Sequence, residues 1–305
     1  MKKIDLFMAL SDQKKQFHTY APIIASALSG GIAGAIAKTV IAPLDRTKIN
    51  FQVSRRKKYS TCKAFRFIGK TYQNEGFRAI FRGNSATMLR VIPYAAFQYA
   101  SYEEYKKLLG VDKDNIKTPV KRFLAGSCAA TTATCLTFPI DTLKAWLSTI
   151  SKNEYHGIID LCKKKYNLHG IEVFYRGIIP AIVGVIPYAG SSFFMYETLK
   201  LQYKEKFKSD PPVLCLTIFG GIGGIIGQTT SYPFDIVRRR MQTGKIPKNQ
   251  SMWKSLKIII KNEGIIGGIF KGLSMNWIKG PLGVGVSLTS YDVIHLEMKK
   301  LLHVK

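Results

Sequence analysis

Long uncharged stretches alternate with short basic ones along this chain. Residues 211–234 hold no charged side chain in 24 positions, residues 177–196 none in 20, and residues 123–140 none in 18. An α-helix of that length crosses the hydrocarbon core of a bilayer. Three shorter apolar stretches, 22–37, 91–102 and 280–291, are bounded by Lys38, Arg90 and Lys279. A charge at that depth has to face a partner or a water-filled cavity, so a plain hydropathy scan undercounts the helices. Between the long stretches the period changes: Ala64, Phe65, Ile68 and Tyr72 recur at the spacing of an amphipathic surface helix. The expected elements are helices over 21–53, 61–74 and 84–109, then 119–148, 158–168 and 178–206, then 212–242, 252–262 and 273–302. The fold class is therefore an all-α membrane protein with six long helices and three short surface helices.

A second pattern groups these elements. Pro43-Leu-Asp45-Arg-Thr-Lys48 returns as Pro139-Ile-Asp141-Thr-Leu-Lys144 and again as Pro233-Phe-Asp235-Ile-Val-Arg238, with the prolines 96 and 94 residues apart. A fixed period of this kind marks homologous units. The chain divides into an N-terminal segment (1–20) and three repeats, 21–110, 119–206 and 212–302, expected to form one integrated transmembrane domain. Pro43, Pro139 and Pro233 lie inside helices and kink them. Small residues four apart, Gly30 and Gly34, Gly126 and Ala130, Gly220 and Gly224, predict close helix packing on those faces.

The formal charge of +27 over 305 residues first suggests nucleic acid. The uncharged spans argue against that, because a nucleic-acid-binding domain has no use for them. Lys and Arg concentrate in the loops within repeats: Arg55, Arg56, Lys57 and Lys58; Lys163, Lys164 and Lys165; Lys254, Lys257 and Lys261. The linkers over 110–118 and 209–212 are weaker in positive charge. This bias places the intra-repeat loops on the positive-inside face. The five cysteines show no disulfide or metal-ligand spacing. The five histidines (18, 156, 169, 295, 303) are scattered, so no catalytic residue and no metal is expected. Residues 1–20 have neither the apolar core of a signal peptide nor the composition of an Arg-rich transit peptide; targeting information is expected inside the chain.

The threefold Pro-x-Asp-x-x-Lys/Arg motif resembles that of the mitochondrial carrier family, and a second recurring motif extends the resemblance. It reads Glu75-Gly76 with Phe81-Arg82-Gly83, His169-Gly170 with Tyr175-Arg176-Gly177, and Glu263-Gly264 with Phe270-Lys271-Gly272. His169 replaces the usual acid, and the third copy is one residue longer. The resemblance spans about 21–302. It implies the mitochondrial carrier fold, with pseudo-threefold symmetry, six transmembrane helices and three matrix-side helices. It also implies a multi-pass place in the mitochondrial inner membrane, activity as a monomer without a cofactor, and bound cardiolipin.

The same resemblance assigns residues. Asp45 would pair with Lys144, Asp141 with Arg238 and Asp235 with Lys48 as a matrix gate. Gln52 and Gln242 would brace it, while Ser148 leaves the second brace empty. Tyr102-Glu103 with Lys106, Tyr196-Glu197 with Lys200, and Tyr291-Asp292 with His295 match a cytoplasmic gate, in which Glu103–Lys200 and Asp292–Lys106 can form. The Glu197–His295 pair would be weak near neutral pH. Counting back thirteen residues from each even-helix acid gives Arg90, Gly184 and Lys279 as substrate contacts. Two mid-membrane cations suit an anion. Gly184-Val185 resembles the small apolar pair that adenine-nucleotide carriers set against adenine. Tyr188, one turn on, either stacks on the ligand or packs as an ordinary interfacial ring. Lys38 and Arg239 either bind phosphate or balance gate charge. Longer stretches, such as 82–88, 184–190 and 271–277, are similar to family members that carry coenzyme A. The implied function is antiport of coenzyme A against adenine nucleotides (ADP or adenosine 3′,5′-diphosphate), with an ATP/ADP or ATP-Mg/phosphate type carrier as the alternative.

Overall fold

The computed structural model describes residues 2–54, 59–111, 119–150, 155 and 157–301, with side chains described from residue 25 onward except 27 and 119. The basic stretch 55–58 and linker residues 112–118 lie outside the described residues. Helices dominate: α1 (Lys2–Val53), α2 (Thr61–Glu75), α3 (Phe77–Ile80), α4 (Asn84–Leu108), α5 (Pro119–Thr149), α6 (Ile158–His169), α7 (Ile178–Phe207), α8 (Val213–Gln242), α9 (Met252–Glu263) and α10 (Leu273–Leu301). No strand occurs among the described residues. The expected boundaries hold to within a residue or two, except that α1 starts at Lys2 and not at 21. Residues 2–20 contain neither proline nor glycine, so no stop signal separates the polar leader from the apolar helix.

The chain forms two compact units, Met1–Ala42 with Ile278–Lys305, and Pro43–Trp277. In the first, α1 and α10 meet where a Cβ on Gly283 would lie 3.7 Å from Ile41 Cδ1. Leu28, Ile32, Ile36 and Val40 form an exposed apolar stripe along α1. A four-residue period puts them on one face, and lipid is the solvent that such a face requires. In the second unit α4 packs along α5 and α7 along α8. Its buried apolar clusters gather where long helices meet the short ones. One joins Tyr232, Ile236 and Val237 of α8 to Met252 and Ile259 of α9; the other joins Leu143, Trp146 and Leu147 of α5 to Leu161 of α6. Segments Val120–Thr149, Ile171–Phe207 and Val213–Gln242 are long and apolar enough to cross a membrane.

The small-residue expectation needs correction. A Cβ on Gly30, Gly34, Gly220 or Gly224 would meet nothing within 4 Å, and one on Gly126 only the Tyr102 ring at 4.0 Å. The close approach is made one step along α8, at Gly223 and Gly227. There an added Cβ would lie 2.7 Å from the Ser192 carbonyl oxygen and 2.8 Å from that of Tyr188. Spacing by four identifies a face but not which neighbour covers it, and α7 covers the 223/227 face.

The extra residue of the third repeat has a local solution. Where repeat one has the short helix α3 and repeat two a 3-10 turn (Ile171–Tyr175), repeat three has a π-helical turn over Ile265–Ile269. Phe270 N–H donates to the Ile265 carbonyl at 3.3 Å, so the wider turn absorbs one residue. Gly268 fits tightly inside it: a Cβ there would lie 3.0 Å from Ile259 Cγ2 and 3.2 Å from the Ile259 carbonyl oxygen.

Gly227→Ala is expected to lower the thermal midpoint in detergent, since a rigid backbone carbonyl has to move; overpacking of this kind costs about 1–3 kcal/mol. Gly224→Ala, with open space around it, is expected to leave the midpoint unchanged.

Candidate functional site

The ends of the three proline-kinked helices carry a ring of ion pairs, all within the Pro43–Trp277 unit. Lys144 Nζ lies 2.8 Å from Asp45, Arg238 Nη2 lies 2.7 Å from Asp141, and Lys48 Nζ lies 3.4 Å from Asp235. Each acid thus meets the motif cation of a neighbouring repeat, the pairing that the family resemblance implies.

The three pairs are unequal. The Asp141 side chain is only 2% exposed, and besides Arg238 it receives Arg239 at 3.0 Å and Arg90 at 3.5 Å. Gln242 Nε2 adds a hydrogen bond at 2.9 Å and accepts one from Arg239 at its Oε1. Arg90 is held in turn by Thr137 Oγ1 at 3.2 Å and lies over the Tyr94 ring at 4.8 Å. Arg238 lies over Phe138, and Lys48 over Tyr232. Charge-assisted bonds from planar guanidinium groups are the strong kind, so Asp141 is the most firmly held of the three acids. The bracing differs as well. Gln242 reaches its acid, whereas the buried Gln52 side chain makes no hydrogen bond to a gate acid among the described residues. In the second repeat the Ser148 hydroxyl is turned back onto the Lys144 carbonyl at 2.8 Å. Across the ring, five cations (Lys48, Arg90, Lys144, Arg238, Arg239) bridge three carboxylates.

This threefold geometry repeats in sequence. The profile described as mitochondrial carrier protein matches residues 20–113, 116–207 and 209–301. The chain belongs to the mitochondrial carrier family. It is 47% identical over 285 residues to the mitochondrial coenzyme A transporter SLC25A42 of Xenopus tropicalis, covering 92% of this chain and 87% of the relative. To the human protein of the same name it is 44% identical over 303 residues, covering 97% and 95%. Human solute carrier family 25 member 16 is 39% identical over 298 residues, covering 91% and 88%. The carrier is accordingly a mitochondrial membrane transporter with three tandem repeats.

Of the remaining candidate residues, Gly184 sits against α8: a Cβ there would lie 3.2 Å from Phe234 Cβ, beside Asp235. Val185 is half-buried, and Tyr188 is exposed with its ring against Gly227. Glu103 pairs with Lys106 of its own helix at 3.3 Å and is not brought to Lys200. Glu197 and Lys200 are both half-buried on α7. Lys38, Lys279 and Asp292 belong to the other unit, where Lys38 and Asp292 are exposed and Lys279 is half-buried.

The structure adds contacts that the motifs did not announce. The base of each second motif reaches a carbonyl just beyond the end of the proline-bearing helix in the next repeat. Arg82 donates to the Ile150 carbonyl at 3.5 Å, Arg176 to that of Ile246, and Lys271 to that of Ser54 at 2.6 Å. Arg46 bonds the Ala79 carbonyl and Glu75, while Arg240 forms a two-pronged pair with Glu263. The signal for the first set was present in the recurring Arg/Lys before glycine; only the destination was hidden.

Burial pushes the Glu263 carboxyl up, but the hydrogen bond and charge of Arg240, with Lys271 beside it, outweigh this and hold it below the usual carboxylate range. The stabilisation is fully present above the unfolded glutamate value of about 4.3 and is lost as pH falls through the lower folded value. Glu263→Gln is therefore expected to lower the melting midpoint of the detergent-solubilised carrier at pH 7. The difference from the parent should shrink as melts are taken towards pH 4 and below.

Proposed function

We propose that this carrier exchanges coenzyme A for an adenine nucleotide, ADP or adenosine 3′,5′-diphosphate, across the mitochondrial inner membrane by alternating access. The relatives at 44–47% identity are named for coenzyme A transport, which supports the choice of substrate. The observation that carries the anionic character of the substrate is the convergence of three guanidiniums, Arg90, Arg238 and Arg239, on the single carboxylate of Asp141. Excess positive charge away from bulk water is costly unless an anion compensates it, and coenzyme A brings a pyrophosphate and a 3′-phosphate.

On this reading Asp45, Lys48, Asp141, Lys144, Asp235 and Arg238 form the matrix gate, here closed, with Gln242 as its brace and Gln52 in reserve. Buried ion pairs suit a gate, because desolvation offsets much of their attraction and a modest compensating contact can open them. Arg90 and Arg239 share Asp141 with the gate cation Arg238. A substrate phosphate that draws those two guanidiniums away weakens the hold on the gate acid, which couples recognition to opening. Lys279 and Lys38 contribute further phosphate contacts, and Gly184, Val185 and Tyr188 take the adenine. Glu103, Lys106, Glu197, Lys200 and Asp292 form the opposing cytoplasmic gate, whose pairs belong to the state in which the matrix end is open. The carrier acts as a monomer with cardiolipin bound.

The test is uptake of labelled coenzyme A into proteoliposomes that are empty or loaded with ADP. Uptake that requires internal ADP is expected. Exchange of ATP or ADP without coenzyme A uptake would move the carrier to the ATP/ADP or ATP-Mg/phosphate type. Arg90→Ala and Lys279→Ala are each expected to cut uptake to background while the protein still folds, Arg90→Ala with a lowered melting midpoint because Asp141 loses a partner; wild-type uptake by both would end the assignment of the site.

A further inference from the structure

The last carbonyls of an α-helix have no partner within it. At the ends of α1, α5 and α8 the partners come from the preceding repeat in a closed circle. Asn50 Nδ2 donates to the Ser148 carbonyl at 2.7 Å, Trp146 Nε1 to the Gln242 carbonyl at 2.6 Å, and Arg240 Nε to the Gln52 carbonyl at 2.9 Å. The donors stand seven residues after Pro43, Pro139 and Pro233, and the acceptors nine after them. Repeat one caps repeat two, two caps three, and three caps one. A carboxamide, an indole and a guanidinium have only a side-chain N–H in common, yet each is aimed at the corresponding carbonyl.

We propose that Asn50, Trp146 and Arg240 are positioning residues, whose side chain-to-backbone caps hold this end of the carrier shut alongside the ion pairs. The inference rests on the reading of that end as a gate. Each donor is held in place by a second contact. Asn50 also bonds the Arg46 carbonyl at 3.0 Å, Arg240 is fixed by Glu263, and the buried Trp146 ring meets Phe174 edge-on at 5.4 Å with Lys165 over its face. Because the bonds run in a circle, they survive only while all three helix ends stay together. Trp146 carries a further link: the residue whose carbonyl it caps, Gln242, is the one whose side chain donates to Asp141. An anion competes most strongly for the gate cations, and the neutral Asn50 carboxamide and Trp146 indole attract it less. The caps therefore keep the carrier closed when the ion pairs alone are loosened.

The test uses the full-length carrier in detergent with the five native cysteines replaced by serine and Gln52→Cys as reporter, a site fully buried in the closed form. Maleimide labelling is timed for the parent, for Trp146→Phe, which keeps an aromatic ring but loses the donor, and for Asn50→Ala. If Trp146→Phe does not yield folded protein, Asn50→Ala carries the comparison. A parallel set keeps Cys215, partly buried near the start of α8, as its sole cysteine. Without substrate, labelling at position 52 is expected to rise about 2- to 10-fold in the variants, as loss of one net hydrogen bond gives, with Cys215 unchanged. Parent-like rates at position 52 in both variants would overturn the proposal. So would rates that rise equally at Cys215, which mark general loosening. Failure of the substrate reading shows elsewhere: parent labelling would then respond to neither coenzyme A nor ADP.

Discussion

A carboxylate almost sealed from water, at Asp141, sets the terms for the rest of the second unit. Removing such a charge from solvent costs several kcal/mol, and only close, well-directed cations offset it. Arg90, Arg238 and Arg239 supply them, and Gln242 takes up remaining acceptor capacity. These partners come from α4 and α8, so satisfying one acid of α5 ties three long helices together. Asp45 and Asp235 meet lysine motif cations instead, and Lys48 lies at the longest of the three ion-pair distances. A sequence with three equal motifs thus folds into a ring with one strong corner and two weaker ones.

The surface helices are joined to that ring by a logic that also explains the odd second repeat. Where an acid ends the surface helix, a cation waits for it. Glu75 receives Arg46 and Arg82, and Glu263 receives Arg240 and Lys271. The second repeat has His169 in place of the acid, and its proline-kinked helix offers no cation at either corresponding position. Thr142 bonds the Phe174 carbonyl at 2.7 Å, and Trp146 packs on Phe174. The acid and the kinked-helix cation are missing together, while Arg176, the counterpart of Arg82 and Lys271, bonds the Ile246 carbonyl. What reads as a defect in one motif is half of a matched exchange.

Much of this was legible from residue order alone. The three repeats and the nine main helices of the described residues follow from period and apolar patterning, while the pairing of Asp45, Asp141 and Asp235 with neighbouring motif cations came with the family resemblance. Three kinds of feature were not legible. The true α7–α8 contact at Gly223 and Gly227 was hidden, because small residues recur on several faces of α8 and only the partner helix selects one. The convergence of Arg90 and Arg239 on a single acid depends on side-chain reach from different helices, which no spacing records. The caps from Asn50, Trp146 and Arg240 escape a search by residue identity, since the shared property is a donor at a fixed register and not a shared side chain.

The π turn over Ile265–Ile269 has a consequence for how such a chain can change. An inserted residue in a helix rotates everything after it by about 100°, which in α10 would swing each later side chain to another face. Here the added residue is taken up within one widened turn before Gly272. The constraint on each repeat is therefore angular and not metrical. Between Gly264 and Gly272 this protein has taken up one residue of added length, in a turn that leaves little room for a side chain at Gly268.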